Sequence, residues 1–521
     1  MAIRILDCTL RDGGYINDWK FSDRQILQIV SSLEKSNIDI IECGYLNAEN
    51  GKASDSTLFD SLPSAERILA ASNNKAEKVI MINLGDYDPA LLPSRNDSTI
   101  SGIRLAFHKD RLESALEAAD TIQKHGYDVY FQPMITKNYT DIEFLSMIQK
   151  VNILKPYAFY IVDSFGSMSL EEFNKYLILA HHNLADFISL GYHSHNNMQL
   201  AFSNAVSMCN AHIKRDLLID ASIYGIGRGA GNLNTELIAD YLNKVLQASY
   251  DTLPLLEVID TFLNSMMKKT PWGFSPAQYL SALFNCHPHY ATYLINKNTN
   301  HIVGIKKILE KLPDTKKVSF DKAFVEQLYN DSILDIKTPV TDGIKFKQED
   351  KILLLASGKS IERFSETIRE KIHQNRYTVI ALNHKPNIDC DYYFFTNQKR
   401  LDEFQGQLPS YKLIMTSNLS SDLIPAAVLD FASLSYVDDK LITNVAVILI
   451  NYLILSGIKQ VEIAGLDGYR FGNENYYYDE KSTINDDQEL ALQNNLLSFS
   501  ITQLRKKIAI HFVTPSLFEG C

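Results

Sequence analysis

The stretch "IRILDCTLRDGGY" (residues 3–15) runs from an aliphatic segment into a charged pair, Arg11 and Asp12, and then into two glycines. Its first half has the β-branched character of a strand buried on both faces. Charge at the end of such a strand costs free energy unless it is paired or used. It is reasonable where several strands point their ends at one shared site. Seven more runs have the same form: "IDIIECGY" (38–45), "KVIMINL" (78–84), "GIRLAF" (102–107), "YDVYFQP" (127–133), "AFYIVDS" (158–164), "FISLGYHSH" (187–195) and "IDASIYGIG" (219–227). Between them lie amphipathic patterns such as "SDRQILQIVSSLEKSN", with Ser22 as a candidate N-cap. Eight strand–helix units over residues 1–250 predict a (β/α)8 barrel, with a doubly wound sheet as the competing arrangement. Polar residues at the C-terminal ends of many strands favour the barrel, because that is where a barrel places its chemistry.

Outward from the barrel the pattern changes twice. Residues 251–338 lack strand character and contain helical stretches interrupted at Pro271 and Pro276, which predicts a helical appendage. Residues 339–521 return to alternation, with strands in "DKILLLASGKSI", "YTVIALNHKP", "CDYYFFTN", "KLIMTSN" and "QVEIAGLDGY". That predicts a second, open α/β domain. The apolar run "NVAVILINYLILSG" is too short for a membrane span and reads as a buried helix.

Bulk properties narrow the function. The chain has 521 residues, 45% hydrophobic and 22% charged, with a net charge of −11. No basic stripe is present, which argues against nucleic acid and anionic membranes as partners. Six scattered cysteines lack zinc-site spacing and suggest no disulfide framework. With no apolar leader at the start, the expected location is the cytoplasm.

The candidate chemistry sits at the strand ends. Arg11 and Asp12 follow the first strand, Glu42 ends the second, His193 and His195 end the seventh, and Asn232 follows the eighth. Residues i and i+2 of a strand face one side, so both imidazoles can converge. Two histidines and a carboxylate suit a divalent metal with open positions. Ring closure makes the first strand a neighbour of the eighth, so Asp12 and Asn232 can join them. Glu42 could instead simply pair with Arg11. Arg104, Gln132, Asp163 and Arg228 are candidate substrate contacts. Asp163 could equally hold backbone amides of "SFGSM", and Arg228 could pair with a barrel acid. Asn197 is a candidate support for the histidines. His287 and Tyr290 could cap the mouth or pack in a core.

"LDCTLRDGG", "IECGY", "VDSFGSM", "GYHSHNN" and "GIGRGAGNLNTE" together resemble the metal-dependent lyase and aldolase superfamily built on TIM barrels. It includes hydroxymethylglutaryl-CoA lyase, isopropylmalate synthase and 4-hydroxy-2-oxovalerate aldolase. The resemblance covers roughly residues 1–300 and is nearest the last branch, which carries "TLRDGS" and "DSAGAM". It implies a class II aldolase that makes or breaks a C–C bond through a metal-bound enolate of pyruvate or a similar 2-oxo acid, with an aldehyde as second substrate. It implies Asp12, His193, His195 and Asn232 as metal ligands and Arg11 as the donor to the enolate oxygen. Mn²⁺ or Mg²⁺ is the expected metal, with Co²⁺ and Zn²⁺ as other choices. That branch uses a His two residues after "RDG" as its base. Here that position is Tyr15, whose ordinary pKa near 10 makes a poor base at neutral pH. Tyr15 or Glu42 must then serve, or another group.

The second domain resembles small Rossmann-like bacterial sialyltransferases and pterin-diphosphokinase-like domains. That implies a nucleotide or nucleotide-sugar site near Ser357, Gly358, Asn383, Asn397, Asp467 and Tyr469. His384 is the histidine available for transfer chemistry. The expectation is a multifunctional homo-oligomeric enzyme in surface polysaccharide biosynthesis. Its rivals are an acetyl-CoA-dependent Claisen enzyme and a glycosyltransferase with a non-catalytic barrel.

Overall fold

The computed structural model describes residues 2–521 except 71, 73, 74, 298–300, 471–474 and 477–486. The tail of the "GLDGYRFGNENYYYDE" motif, at 471–474 and 477–480, lies outside the described residues. The chain forms two compact units, Met1–Thr292 with Pro313–Phe320, and Tyr293–Leu312 with Asp321–Cys521. Among its described residues the 251–338 stretch is mostly helical, and the two units divide it between them.

The first unit is a closed parallel barrel. Its strands are β1 (Ile3–Asp7), β2 (Ile40–Leu46), β3 (Glu77–Asn83), β4 (Gly102–Phe107), β5 (Asp128–Pro133), β6 (Ala158–Asp163), β7 (Ser189–Ser194) and β8 (Leu217–Ala221). Each pairs with its sequence neighbour. Leu6 of β1 meets Ile40 of β2 on one side and Asp220 of β8 on the other, which closes the ring. All eight expected strands are present. A two-residue strand, Leu58–Phe59, pairs with the C-terminal end of β2 at Tyr45 and Leu46.

Alternation along the strands makes two cores. Ile5, Ile41, Ile103, Phe131 and Ile219 point outward into the layer beneath the helices. Leu6, Cys8, Ile40, Val79, Tyr130, Tyr160 and Leu218 fill the barrel interior. The helices begin where the sequence signals them. Ser22 caps Asp23–Lys35 in a reciprocal box with Gln25, as Thr140 and Ser169 do with Glu143 and Glu172.

The second unit is built on a seven-stranded parallel sheet: β9 (Lys351–Leu355), β10 (Tyr377–Leu382), β11 (Tyr392–Phe395), β12 (Leu413–Thr416), β13 (Ala427–Leu429), β14 (Gln460–Ala464) and β15 (Ala509–Phe512). The order is β13-β12-β11-β10-β9-β14-β15, so chain direction across the sheet reverses between β9 and β14. The sequence shows the five inner strands but neither edge strand. The expected apolar helix is Val445–Leu455, mostly buried. Among the described residues, no helix is long and apolar enough to cross a membrane.

Candidate active site

Strand alternation puts Glu42 of β2, Arg104 of β4, His193 of β7 and Asp220 of β8 on the inner face of the ring. Arg11 and Asp12 arrive on a one-turn helix, Thr9–Asp12, directly after β1. Asn232 comes from the loop after β8, held by an antiparallel bridge between His195 and Asn232. Gly231 makes that crossing feasible. Its φ is +76°, and a Cβ there would lie 2.0 Å from the Gly225 carbonyl oxygen.

Asp12, His193 and Asn232 come together, and the His195 ring stands beside that of His193. Asn232 Nδ2 donates to Asp12 Oδ2 at 2.6 Å, and His193 Nε2 lies 3.9 Å from the same oxygen. The His193 and His195 rings are 5.5 Å apart and nearly perpendicular. Cys8, Asp12 and His193 present ligand-type atoms all within 4.8 Å of one another. Asn232 Oδ1 and His195 Nδ1 are buried without a partner. Buried polar atoms are rarely left so. Two orphaned acceptor-capable atoms beside an aspartate and a second imidazole fit a divalent cation.

The surrounding charges are fixed. Arg11 Nε donates to Glu42 Oε2 at 2.9 Å and its Nη1 pairs with Asp12. Arg104 Nη1 lies 2.8 Å from the same Glu42 oxygen, and Arg104 also pairs with Asp220. Asp220 Oδ2 lies 2.9 Å from His193 Nδ1, which leaves Nε2 to face Asp12. Burial alone would raise the Asp12 carboxyl, but Arg11 and both histidines hold it below the usual carboxylate range. Burial, with Arg228 nearby, pushes His195 well down, so it is a neutral imidazole. Glu42 is pushed up by burial against the pull of two guanidiniums.

Arg104 and Gln132, candidate substrate contacts, are both buried. Arg104 is fully buried over the Tyr160 ring, and Gln132, with its amide turned so that the oxygen faces Arg104, accepts from Nε at 2.8 Å. The Asp163 carboxylate accepts from Ser167 N and Met168 N, each at 3.0 Å, so it braces the loop after β6. Asn197 does not support the histidines. It ties two loops together, donating to the Phe165 carbonyl at 2.9 Å and accepting from Ala230 N at 2.8 Å. The support comes from Asp220, which sequence reasoning missed. Its signal was the inward phase of Leu218-Asp220-Ser222. Tyr290 packs in a core, its hydroxyl on the Lys316 carbonyl at 2.7 Å. His287 is at the mouth, beside Phe165 and Arg228. Tyr15 is 38% exposed, edge-on to Trp19. Desolvation raises its phenol despite the nearby Arg228 and Arg11.

The HMGL-like family profile matches residues 101–261. A 4-hydroxy-2-oxovalerate aldolase from Geobacillus genomosp. 3 is 24% identical over 273 residues, covering 51% of this chain and 78% of that protein. An oxaloacetate decarboxylase from Mycobacterium tuberculosis is 24% identical over 281 residues, covering 52% and 79%. The crystal structure of the N-terminal domain of a candidate aldolase from Bacteroides vulgatus superposes with a TM-score of 0.52 at 28% identity, covering 58% of this chain and 99% of that one. The matched residues 101–261 run from β4 through β8 and the loop that carries Asn232.

In the second unit, Ser357, Gly358, Asn383, Asn397, Asp467 and Tyr469 all line one cavity of about 340 Å³. It opens at the C-terminal ends of β9, β10, β11 and β14. Several of these residues are also braces. Asp467 Oδ2 accepts from Ser360 N at 2.8 Å, Asn383 Oδ1 from Thr396 N at 2.9 Å, and Asn397 Oδ1 caps Gln398–Phe404. Arg400 and Lys297 line it as well. His384 does not line it. It is fully buried, with Nδ1 2.9 Å from the Leu382 carbonyl oxygen, and burial lowers it to about 4.

Proposed function

We propose that the barrel is a divalent-metal-dependent lyase that breaks or forms the C–C bond of a 2-oxo acid, with pyruvate or a close analogue as one product or substrate. The observation that carries this is the convergence of Asp12, His193 and Asn232, with His195 next to them and two unsatisfied buried atoms, beside Arg11. Those four residues would hold the cation, and Cys8 lies close enough to join them. A cation held there supplies Lewis-acid polarisation of the 2-oxo carbonyl. Arg11 keeps a permanent charge beside the oxygen where negative charge develops, and Glu42 fixes its direction. Asp220 holds His193 in one orientation and tautomer.

The relatives named above include an aldolase and a decarboxylase, and both reactions leave the same carbanion. Aldol cleavage also needs a base for the substrate hydroxyl. Tyr15 stands at that position with its phenol raised, which makes it a donor and orienting group rather than a base at neutral pH. Decarboxylation needs no such base, so it is the second reading. The test is pyruvate release from 4-hydroxy-2-oxo acids and from oxaloacetate, with and without added metal. The reading fails if neither substrate yields pyruvate, or if turnover survives His193→Ala.

The second unit we read as Rossmann-like and as binding a nucleotide or nucleotide sugar. The cavity at the reversal point of a parallel sheet supports this. Paired with the barrel, it suggests a place in making an acidic sugar. Calorimetry with nucleoside diphosphates and nucleotide sugars tests it. No saturable binding of either class would reject it.

A further inference from the structure

Arg228 and His287 stand at the barrel mouth in an arrangement that lacks a partner. His289 N donates to His287 Nδ1 at 3.3 Å, so Nδ1 is an acceptor and the ring proton of the neutral imidazole sits on Nε2. His287 Nε2 lies 3.4 Å from Arg228 Nη1. Guanidinium has no acceptor, so two donors face one another. Arg228 Nε is buried without a partner. The guanidinium lies 5.4 Å over the Tyr15 ring, which satisfies its face but not its N–H groups. Among the described residues, Arg228 forms no ion pair with a carboxylate. The nearest acid that it senses is Asp12, whose oxygens are already held by Arg11 and Asn232.

We infer that Arg228 and His287 form a subsite for an anionic oxygen, carboxylate or phosphate, on the part of the substrate that leaves with the aldehyde. An acceptor oxygen between Nη1 and Nε2 would turn two opposed donors into a shared clamp, and would give the half-buried cation its counter-charge. The imidazole remains a neutral donor because burial and Arg228 push it down to about 2. The groups facing it are Arg228, His289, His195 and His108, none of them acidic. Arg11 already serves the oxygen at the reacting carbon, so Arg228 reads a second, distal negative charge. This rests on the lyase reading and narrows its substrates to acids with two anionic groups.

The test uses the full chain with added Mn²⁺ and three 4-hydroxy-2-oxo acids ending in a methyl, a carboxylate or a phosphate. Pyruvate release gives kcat/KM for each. One or both anionic substrates should exceed the methyl one by about a hundredfold, and the better one identifies the anion. Arg228→Met should bring that ratio close to one, and Arg228→Lys should restore part of it. Equal kcat/KM for all three substrates, or a ratio that survives Arg228→Met, overturns the subsite while leaving the lyase reading intact. If none of the three is cleaved, the lyase reading fails separately. Calorimetry with glutarate and with inorganic phosphate then decides the subsite. Saturable binding that is lost in Arg228→Met supports it, and binding that is absent or unchanged in that variant overturns it.

Discussion

The barrel's strand-end site and the cavity of the second sheet use polar side chains in opposite ways. In the barrel, polar groups from β2, β4, β7, β8 and the turn after β1 are buried and bonded to one another, around a few unpartnered atoms. In the second unit, the cavity residues spend much of their hydrogen bonding on their own backbone, as Asp467 does on Ser360 and Asn383 on Thr396. The first is an arrangement for stabilising charge, already paid for in desolvation. The second is a shaped wall. The contrast teaches where substitution should cost chemistry and where it should cost only binding.

The largest effect should come from His193→Ala. Removing one ligand of so few should lower turnover about a thousandfold or more and strip the cation, read by pyruvate release and metal analysis of the purified protein. Asp220→Asn comes next. It leaves the ligand set intact but loosens His193, so metal affinity should fall about 10–100-fold. It also leaves Arg104 short of a partner, so the melting temperature should drop. Unchanged affinity would show that Asp220 serves only Arg104.

Gly358→Ala probes the other side of the comparison. Its Cβ would lie 2.5 Å from the Gly465 carbonyl oxygen and 2.6 Å from Asp467 Cγ. Nucleotide binding should weaken about tenfold or more as the turn shifts, with pyruvate release by the barrel changing little. A parallel loss of both activities would break the distinction drawn here.

The smallest effect is a pH slope. Burial raises Asp163 from 3.8 to about 6. Between those values the folded state keeps a proton that the unfolded state has lost. The stability that this group contributes is therefore full below about pH 4 and falls as pH rises through 6, by at most about 3 kcal/mol. Asp163→Asn should flatten that part of the stability–pH curve in melts from pH 4 to 7. Asp7, also raised to about 6, has the same sign, so only the difference between variants is informative.

The eight barrel strands were legible because a strand covered on both faces must be apolar throughout, and such runs stand out. The candidate ligands stood out because polar residues at the ends of such runs are otherwise expensive. Asp220 was harder to see. An aspartate two residues after a leucine reads as the strand giving way to a turn, and only the closed ring shows that its phase is inward. The burial of Arg104 and Gln132 was not legible, because position along a strand cannot report depth in the barrel. Ala427–Leu429 and Ala509–Phe512 escaped notice because edge strands of three or four residues carry too little pattern. The division of the 251–338 helices between two units depends on which core each apolar face meets, and periodicity is silent on that.

Closure of the ring by β1 has a consequence for biosynthesis. Asp12 is made early, yet Asn232, which grips it, follows 220 residues later in the chain. On the ribosome, Asp12 must wait for the loop after the eighth strand before Asn232 can reach it. Under the proposed metal site, capture of a cation by a nascent chain would report a finished barrel, and a chain arrested before residue 232 should emerge without it.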